Sequence, residues 1–293
     1  MRRLVLLVSL TACKASISEG MGDASGAGDG ASIDAARDAA APLGPWSAPT
    51  PVAITPVGDD DPTATGDLLE LFFNRSGNIY VTTRATTADP WSTPATVDEL
   101  NSGNTETTPE VSYDGLTMYF ASSRTGTIGG NDIWISTRPT RTSAWTTPVR
   151  VAELCSASDE GAVTLVDPLH AMLDSDRGGA TLLDLYSAQR ATPSAAWTAP
   201  VLVAELNSGQ SEGNPMVASD KLSVYFDSDR SGDGELYVAT RTSANAVFGA
   251  PAIITELSSP TSKDSDPWIS PDGRTMFFTS DRDGTTRLWQ TTR

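Results

Sequence analysis

Short apolar runs alternate with turn signals along most of the chain. The runs LTMYF, LSVYF and RTMFF (residues 116–120, 222–226 and 274–278) mix aliphatic and aromatic residues with partial alternation, which is typical of buried strands. A polar pair such as Asp-Gly precedes these runs, and such a pair between strand-like segments indicates a β-hairpin. A third run, such as DIWISTR or ELYVATR, follows and ends in arginine. The pattern predicts an all-β chain of short antiparallel strands.

One group of segments recurs five times after residue 45. Its marker is Trp or Phe, two residues and then Pro, and it begins at Trp46, Trp91, Trp145, Trp197 and Phe248, at intervals of 45, 54, 52 and 51 residues. The units also align on Pro62, Pro109, Ala162, Pro215 and Pro267. An acid stands three residues before this position, an Asp five after it and a large apolar residue eleven after it in every unit. A period of this size with strand content predicts a propeller or a solenoid.

Each unit contains four strand-like segments, which predicts a five-bladed β-propeller with four-stranded antiparallel blades. The fifth unit ends after its third strand at Arg293, and the segment WSAPTPVAI (residues 46–54) is a fourth strand without a unit of its own. Pairing this N-terminal strand with the last blade would close the ring and remove two open sheet edges. We therefore expect one propeller domain over residues 46–293.

The repeats carry a family resemblance. The units PEVSYDGLTMYFASSRTG…NDIWISTR and PWISPDGRTMFFTSDRDG…RLWQTTR resemble the WD40-like, or PD40, repeats of TolB-type propellers. The resemblance covers residues 46–293 and implies a propeller fold. Because such propellers serve mainly as interaction platforms for diverse partners, it implies a binding function without naming the partner.

The N-terminus has the pattern of a secretory signal. A basic start, the apolar run LVLLVSL and the sequence Leu10-Thr11-Ala12-Cys13 predict a signal peptide over residues 1–13. Its end resembles the bacterial lipobox, which implies lipid attachment at Cys13. Lys14 follows where an Asp would imply inner-membrane retention, so the resemblance implies an outer-membrane lipoprotein facing the periplasm or the cell surface. Residues 14–45 are rich in Ala, Gly, Asp and Ser and predict a disordered tether.

Net charge and rare residues limit the partners. With 37 Asp and Glu against 20 Lys and Arg, the formal charge is −17, which disfavours nucleic acid. An envelope protein or a carbohydrate fits this surface better, with the membrane reached only through the lipid and the propeller as a monomer. The single histidine, His170, argues against a His-rich metal centre, and we interpret it as a packing residue. Cys155 lacks an intrachain partner once Cys13 is lipidated, and its segment ELCSAS predicts a loop role.

Acids and arginines recur at fixed places in the units. The acids three residues before the aligned position are Asp59, Glu106, Asp159, Glu212 and Asp264. Because the first strand of a propeller blade lines the channel, we expect these acids to ring one channel mouth. The loop arginines on the same face are Arg124, Arg177, Arg230 and Arg282. We expect each arginine to pair with a nearby acid, since unpaired clustered carboxylates raise one another's pKa.

The first unit breaks this pattern. Its loop is shorter, so Arg75 arrives two residues early, and three acids follow one another at Asp59, Asp60 and Asp61. We expect the weakest internal compensation in this unit, which makes its channel mouth a candidate site for a cation or a basic peptide. No cofactor or metal is predicted from a motif, and a channel-bound cation such as calcium stays open as an alternative.

Two function classes remain. The first is a non-enzymatic binding platform in the cell envelope, with no catalytic residues. The second is a carbohydrate-active propeller enzyme, because glycosidases work with a pair of carboxylates at a suitable separation. Catalysis needs differentiated acids, whereas these acids recur in every unit as the repeat dictates, so the sequence favours the platform.

Overall fold

The computed structural model describes residues 43–54, 58–179, 182–259 and 261–293. The predicted signal peptide, Cys13 and the tether up to residue 42 lie outside the described residues and stay predictions. No part of the described chain forms an apolar helix of membrane-spanning length.

Twenty strands form five blades. Strand β1 (Thr50–Pro51) comes first in the chain. Blade one contains β2 (Asp59–Ala64), β3 (Glu70–Arg75), β4 (Asn78–Thr83) and β5 (Ala95–Thr96). Blade two contains β6 (Glu106–Val111), β7 (Thr117–Ser122), β8 (Asp132–Thr137) and β9 (Val149–Arg150). Blade three contains β10 (Glu160–Asp167), β11 (His170–Ser175), β12 (Asp184–Gln189) and β13 (Val201–Leu202). Blade four contains β14 (Glu212–Val217), β15 (Ser223–Ser228), β16 (Glu235–Thr240) and β17 (Ala252–Ile253). Blade five contains β18 (Asp264–Ile269), β19 (Thr275–Ser280) and β20 (Arg287–Thr292).

The blades form a closed ring. Each blade is a four-stranded antiparallel sheet whose strands follow in chain order, apart from blade five, where β1 supplies the outermost strand. The first strands β2, β6, β10, β14 and β18 contact one another in sequence, and β18 contacts β2. This arrangement confirms the predicted five-bladed propeller and places the first strand of every blade around the axis.

The N-terminal strand closes the ring as predicted. Thr50 pairs with Gln290 and Pro51 with Trp289 across β1 and β20. The amide of Ser47 donates to the carbonyl of Thr292 at 2.8 Å, which extends the contact before the strand. Pro51 fits this place because the outermost strand needs no donor on its solvent side.

The Trp-x-x-Pro marker packs between blades. In each unit the arginine that follows the third strand lies over the marker ring, with 4.1 to 4.4 Å between the guanidinium carbon and the ring centroid. These pairs are Arg84 on Trp91, Arg138 on Trp145, Arg190 on Trp197, Arg241 on Phe248 and Arg293 on Trp46. The pair Arg293 on Trp46 joins the chain termini of the propeller, so the closing blade repeats the contact of the other four.

The first strand of each blade contains a β-bulge near its start. The strand register shifts there in all five blades. In four blades the bulge residue has a positive φ and precedes Pro: Asp61 at 54°, Thr108 at 45°, Asn214 at 52° and Asp266 at 56°. Asp and Asn tolerate this conformation, and the following Pro suits a place without a ladder hydrogen bond. The bulges line the centre of the ring, together with Ala162 of blade three.

The alignment of the third unit was wrong by one residue. Glu160, and not Asp159, pairs in register with Ser175, as Glu106 pairs with Ser122 in blade two. Val163 therefore takes the place of the aligned Pro, and Ala162 is the bulge residue. The hairpin between the first two strands of this blade is one residue shorter, because Asp167-Pro168 replaces a longer turn.

Candidate functional site

A buried acid and an arginine pair at the start of each first strand. The distances run from 2.5 to 3.1 Å, for Asp59–Arg75, Glu106–Arg124, Glu160–Arg177, Glu212–Arg230 and Asp264–Arg282. Glu106 also accepts hydrogen bonds from the Ser102 amide at 2.8 Å and the Ser122 hydroxyl at 2.9 Å. These acids are fully buried and fix loops, so most of their oxygen atoms are occupied within the blade.

Blade one compensates its acid by a different route. Arg75 lies directly opposite Asp59 in the strand register and donates to both carboxylate oxygens, at 2.5 and 3.0 Å. Asp59 is therefore paired like the ring acids of the other blades, while Asp60 and Asp61 of the same unit form no ion pair among the described residues. Burial still outweighs Arg75 and raises the pKa of Asp59 above its ordinary value.

Asp159 lies outside this set of pairs. Its side chain is exposed and accepts the amide of Asn131 at 2.7 Å, while its own amide donates to Asp176. Arg177 pairs with Glu160 instead. Asp159 therefore holds a surface loop and is not the ring acid of blade three.

A second set of carboxylates meets around the axis, just inside the acid–arginine pairs. We call this set the axial cluster, and its members are Asp60, Asp61, Asp174, Asp227 and Asp266. They come from blades one, three, four and five. The bulges bring Asp61 and Asp266 to the centre, while Asp174 and Asp227 follow the buried Leu173 and Phe226 on second strands. No ion pair to these five carboxylates occurs among the described residues.

The bulge amides hold the axial cluster in place. Asp61 accepts the Thr108 amide at 3.0 Å and the Thr107 hydroxyl at 2.7 Å, both from blade two. Asp174 accepts the Asn214 amide of blade four at 2.7 Å. These bonds cross from blade to blade, so the carboxylates take the place of ladder partners that the bulges remove.

Asp174 and Asp227 also accept hydrogen bonds from bulge residues, both within a blade and across blades. Asp174 also accepts the Ala162 amide of its own blade at 3.1 Å. Asp227 accepts the Asn214 side-chain amide at 2.8 Å and the Asp266 amide of blade five at 3.2 Å. The five-blade ring thus holds several carboxylates close to one another without basic partners.

Burial makes these groups weak acids. It raises the pKa of Asp61 to about 6, with the charge of Asp60 adding to the effect. It raises the pKa of Asp174 to about 7, to which the charge of Asp227 contributes. The pKa values of Asp227 and Asp266 are raised as well, although the charge of Lys263 partly offsets the rise at Asp227. The cluster therefore carries protons that a bound positive charge would displace.

Three members of the cluster can share one ligand. Asp60, Asp61 and Asp266 each place a carboxylate oxygen within 4.8 Å of the others. The Thr279 hydroxyl, on a residue 3% exposed, has no hydrogen-bond partner among the described residues. Thr279 occupies the repeat position that Asp174 and Asp227 hold in their blades. Oxygen ligands of this kind suit Ca²⁺ or an ammonium group.

The space on the axis is small. The cavity lined by the bulges has a volume of about 30 Å³. This equals the volume of one water molecule in the liquid, roughly 30 Å³. Pockets for small organic ligands are about ten times larger, from roughly 300 Å³. The cavity beside Asp61 and Asp266 can therefore hold an ion or an ammonium group, but not a sugar ring.

Towards the face opposite the axial cluster, the channel is lined by Glu110 and Tyr113. Glu110 accepts the Thr63 hydroxyl at 3.0 Å, and burial raises its pKa to about 8. Tyr113 spans the ring there, because its hydroxyl donates to the Ile269 carbonyl of blade five at 3.0 Å and its ring packs edge-on against Trp268. A cavity of about 310 Å³ between blades two, three and four lies beside Tyr113. The two ends of the channel thus differ, with the axial cluster at one end and Glu110 and Tyr113 beside a larger cavity at the other.

Sequence reasoning placed Asp60 and Asp61 at the axis but missed Asp174, Asp227, Asp266 and Glu110. A signal for Asp266 exists, because Asp or Asn directly before Pro recurs in DDDP, EGNP and DSDP. Asp174 and Asp227 follow the large apolar residue of the second strand and gave no such signal.

Cys155 lies in a loop as expected, where burial raises its pKa to about 12.

Known proteins share the fold of this chain. No family model and no curated protein sequence matches it. Among solved structures, a TolB-type protein from Agrobacterium tumefaciens is similar at 20% identity and a TM-score of 0.50, covering 77% of this chain and 71% of its own. An endo-arabinase from Bacteroides thetaiotaomicron VPI-5482 is similar at 17% identity and a TM-score of 0.59, covering 84% and 97%. An alpha-L-arabinofuranosidase from Lactobacillus brevis is similar at 15% identity and a TM-score of 0.56, covering 82% and 92%. These likenesses support the propeller fold alone.

Proposed function

We propose that the protein is a non-enzymatic binding platform of the cell envelope, whose axial cluster takes a cationic group of a partner. The observations that carry the proposal are the carboxylate oxygens of Asp60, Asp61 and Asp266, which lie within 4.8 Å of one another, and the cavity of about 30 Å³ beside Asp61 and Asp266. A metal ion or a lysine ammonium fits this volume and supplies the charge that the cluster lacks. The predicted lipid anchor at Cys13 would keep the platform at the outer membrane.

The repeat itself supports a platform. An acid–arginine pair recurs in all five blades, with the arginine in the following loop in four of them, which leaves little local differentiation of the kind that catalysis needs. Negative charge concentrated at one channel mouth also steers positively charged partners towards it and discriminates against acidic ones. The expected partner is thus an envelope protein that presents a basic side chain, in agreement with the −17 charge of the chain.

Cation binding tests this proposal directly. The wild-type protein, D61N and D266N would be titrated with CaCl₂ and with a lysine-containing peptide by isothermal titration calorimetry at low salt. We expect wild type to bind at least one of the two probes, and each variant to lose roughly tenfold or more in affinity. The exposed Asp233 of the same face serves as the matched control, and D233N should bind as wild type does. Absence of binding to both probes would refute the cationic site.

Partner capture tests the platform. A photo-crosslinking residue at the exposed position 233 would report partners of the acidic mouth in the native envelope, and one at position 219 would report the opposite face. We expect mass spectrometry to identify an envelope protein joined at position 233 and lost in the D61N background. Labelling that is equal at both positions would contradict a mouth-specific platform.

A glycosidase remains the second candidate, because one observation favours it. The buried carboxyl groups have separated pKa values, about 6 at Asp61, about 7 at Asp174 and about 8 at Glu110. Such separation is the property that divides acid and base roles between two carboxyl groups. An assay on a panel of polysaccharides that includes arabinan tests this candidate. Turnover by wild type that a single change at Asp174 or Glu110 abolishes would establish the enzyme and overturn the platform.

A further inference from the structure

The five arginines that follow the third strands differ in one respect. All five stack on a marker ring, but four of them also have a partner for a terminal guanidinium nitrogen. Arg84 donates to the Thr87 carbonyl at 3.1 Å, and Arg293 donates to the Tyr225 hydroxyl at 3.0 Å. Arg190 interacts with the Tyr119 hydroxyl. Each of these arginines thereby has a partner in its own or the preceding blade.

Arg138 is saturated by a carboxylate. Its Nη2 donates to Glu70 of blade one at 2.5 Å, and its Nη1 donates to the Arg141 carbonyl at 2.7 Å. Glu70 is the first residue of β3 and lies in the cleft between blades one and two. The guanidinium in that cleft is therefore neutralised and has no capacity for a ligand.

Among the described residues, Arg241 in blade four has neither a carboxylate nor an uncharged oxygen as a partner for its terminal nitrogens. His170, the first residue of β11, occupies the repeat position of Glu70, and Met172 occupies the position of Tyr119 and Tyr225. Arg241 keeps only the contact from Nε to the Lys221 carbonyl, at 2.7 Å, and the Phe248 ring. Within the described chain its terminal nitrogens have no hydrogen-bond partner and it forms no ion pair. Burial lowers the pKa of Arg241, and the charge of Asp220 opposes this effect.

A cavity surrounds this arginine. The cleft between blades three and four has a volume of about 410 Å³ and is lined by both blades. Apolar atoms of Val166, Met172, Val217 and Phe248 form one part of its wall. Hydroxyl and amide groups form another part, from Ser187, Gln189, Thr198 and Asn245. The size and the mixed lining match pockets for small organic ligands.

The charge of the cleft is positive, which is unusual in a chain of net charge −17. Its charged lining residues are Arg241, Lys221 and Asp167. Lys221 and Asp167 pair at 2.6 Å and cancel, while His170 contacts Asp167 through Nδ1 at 2.9 Å. One positive charge on Arg241 remains, and its planar guanidinium suits bidentate contact with a carboxylate.

We propose that the cleft between blades three and four is a binding site for a small hydroxylated carboxylate, such as a uronic acid, whose carboxylate contacts Arg241. The ring of the ligand lies against the apolar wall, and its hydroxyl groups face the polar side chains. This site is distinct from the axial cluster and takes a ligand of opposite charge. It does not depend on the proposed function, because no residue is shared between the two sites.

Calorimetry with chemically matched probes tests the site. The full-length protein would be titrated with D-glucuronate, with D-glucose as the uncharged counterpart and with inorganic phosphate. We expect glucuronate to bind, and glucose and phosphate to bind at least tenfold more weakly. R241Q should weaken glucuronate binding by roughly tenfold or more, since hydrogen bonds to charged groups are lost. R190Q is the matched control, because Arg190 holds the same repeat position but stacks on Trp197 and does not line the cleft, and it should leave binding unchanged.

A second variant keeps the test decisive if R241Q folds poorly. H170E places in blade three the glutamate that neutralises Arg138 in the cleft between blades one and two. We expect H170E to fold and to lose glucuronate binding, because its own carboxylate occupies the guanidinium. Glucuronate binding that survives in R241Q or H170E, or no binding of glucuronate to wild type, would overturn the site. Equal affinity for phosphate would overturn the assignment to carboxylates.

Discussion

Arg75 donates to both carboxylate oxygens of Asp59, at 2.5 and 3.0 Å, from a position directly opposite it in the strand register. The other four blades place a serine at that position and bring their arginine from the following loop. In blade one, Arg75 therefore is both the residue opposite the acid in the strand register and its salt-bridge partner. In the other blades a serine and a loop arginine share these two roles. Because Arg75 lies in the strand, this blade needs no arginine in the following loop, which is shorter. Among the described residues, the axial cluster is the part of the channel mouth without basic partners.

The acid–arginine pairs are expected to dominate the stability of each blade. Glu212 is fully buried and accepts hydrogen bonds from the Ser208 amide, the Ser228 hydroxyl and Arg230. We expect E212Q to lower the free energy of unfolding by about 3 kcal/mol, because Arg230 loses its countercharge and the new amide donors face existing donors. Urea denaturation at pH 7 measures this change.

The control for Glu212 is an acid in the same segment. Glu205 is exposed and has no contact of this kind, so E205Q should change the free energy of unfolding by less than about 0.5 kcal/mol. Equal effects of the two substitutions would contradict a structural role for the buried pair.

Stability should fall as the pH rises through the titration of the axial cluster. The pKa values of Asp61 and Asp174 are raised to about 6 and about 7, above the value of roughly 3.9 expected in the unfolded chain. Between these values the folded state binds more protons than the unfolded state. The contribution of both groups is therefore complete below pH ~4 and is lost by pH ~7.

Neutral substitution should remove part of this dependence. We expect D61N and D174N each to flatten the decline in urea midpoint between pH 4 and pH 8, whereas D233N should keep the wild-type slope. An unchanged slope in D61N would show that Asp61 does not titrate in this range and would contradict its raised pKa.

The bulge of blade two offers a stabilising substitution. Thr108 has a φ of 45°, which is unfavourable for a β-branched residue, and its buried hydroxyl oxygen has no partner among the described residues. Asn or Asp stands at the same place in three other blades. We expect T108N to raise the free energy of unfolding by about 1 kcal/mol through relief of the left-handed strain. Thermal denaturation measures it, and the reciprocal N214T should have the opposite sign.

The closing contact should matter as much as the contacts inside the ring. Trp46 is buried under Arg293 as Trp145 is under Arg138. We expect W46A and W145A each to cost about 3–5 kcal/mol in denaturant unfolding, since a large buried aromatic side chain is removed in both. A negligible effect of W46A beside a large effect of W145A would mean that the N-terminal segment does not close the propeller.

The regularity of the repeat spacing determined how accurately the strands and acids of each blade were predicted. The five markers and the Asp-Gly turns set the number of blades and strands, because hairpins depend on local residues. The third unit was misaligned by one residue at Asp159. Its turn at Asp167-Pro168 is one residue shorter than the turns of the other units, and the sequence alone allows the gap to be placed at several positions. Only the hydrogen bonds of Glu160 to Ser175 and Arg177 locate the deletion.

The sequence by itself determined the propeller, its closure by residues 46–54 and the presence of an acid and an arginine in every blade, because these features recur at fixed local spacing. Tertiary structure decided which carboxylates stay unpaired. Asp174, Asp227 and Asp266 come from three blades and meet only because the bulges turn towards a common axis. It also decided that the terminal nitrogens of Arg241 have no hydrogen-bond partner among the described residues, since Glu70 and His170 are equivalent only after the blades are superimposed. Contacts between blades join residues far apart in the chain, and their chemistry cannot be read from any one repeat.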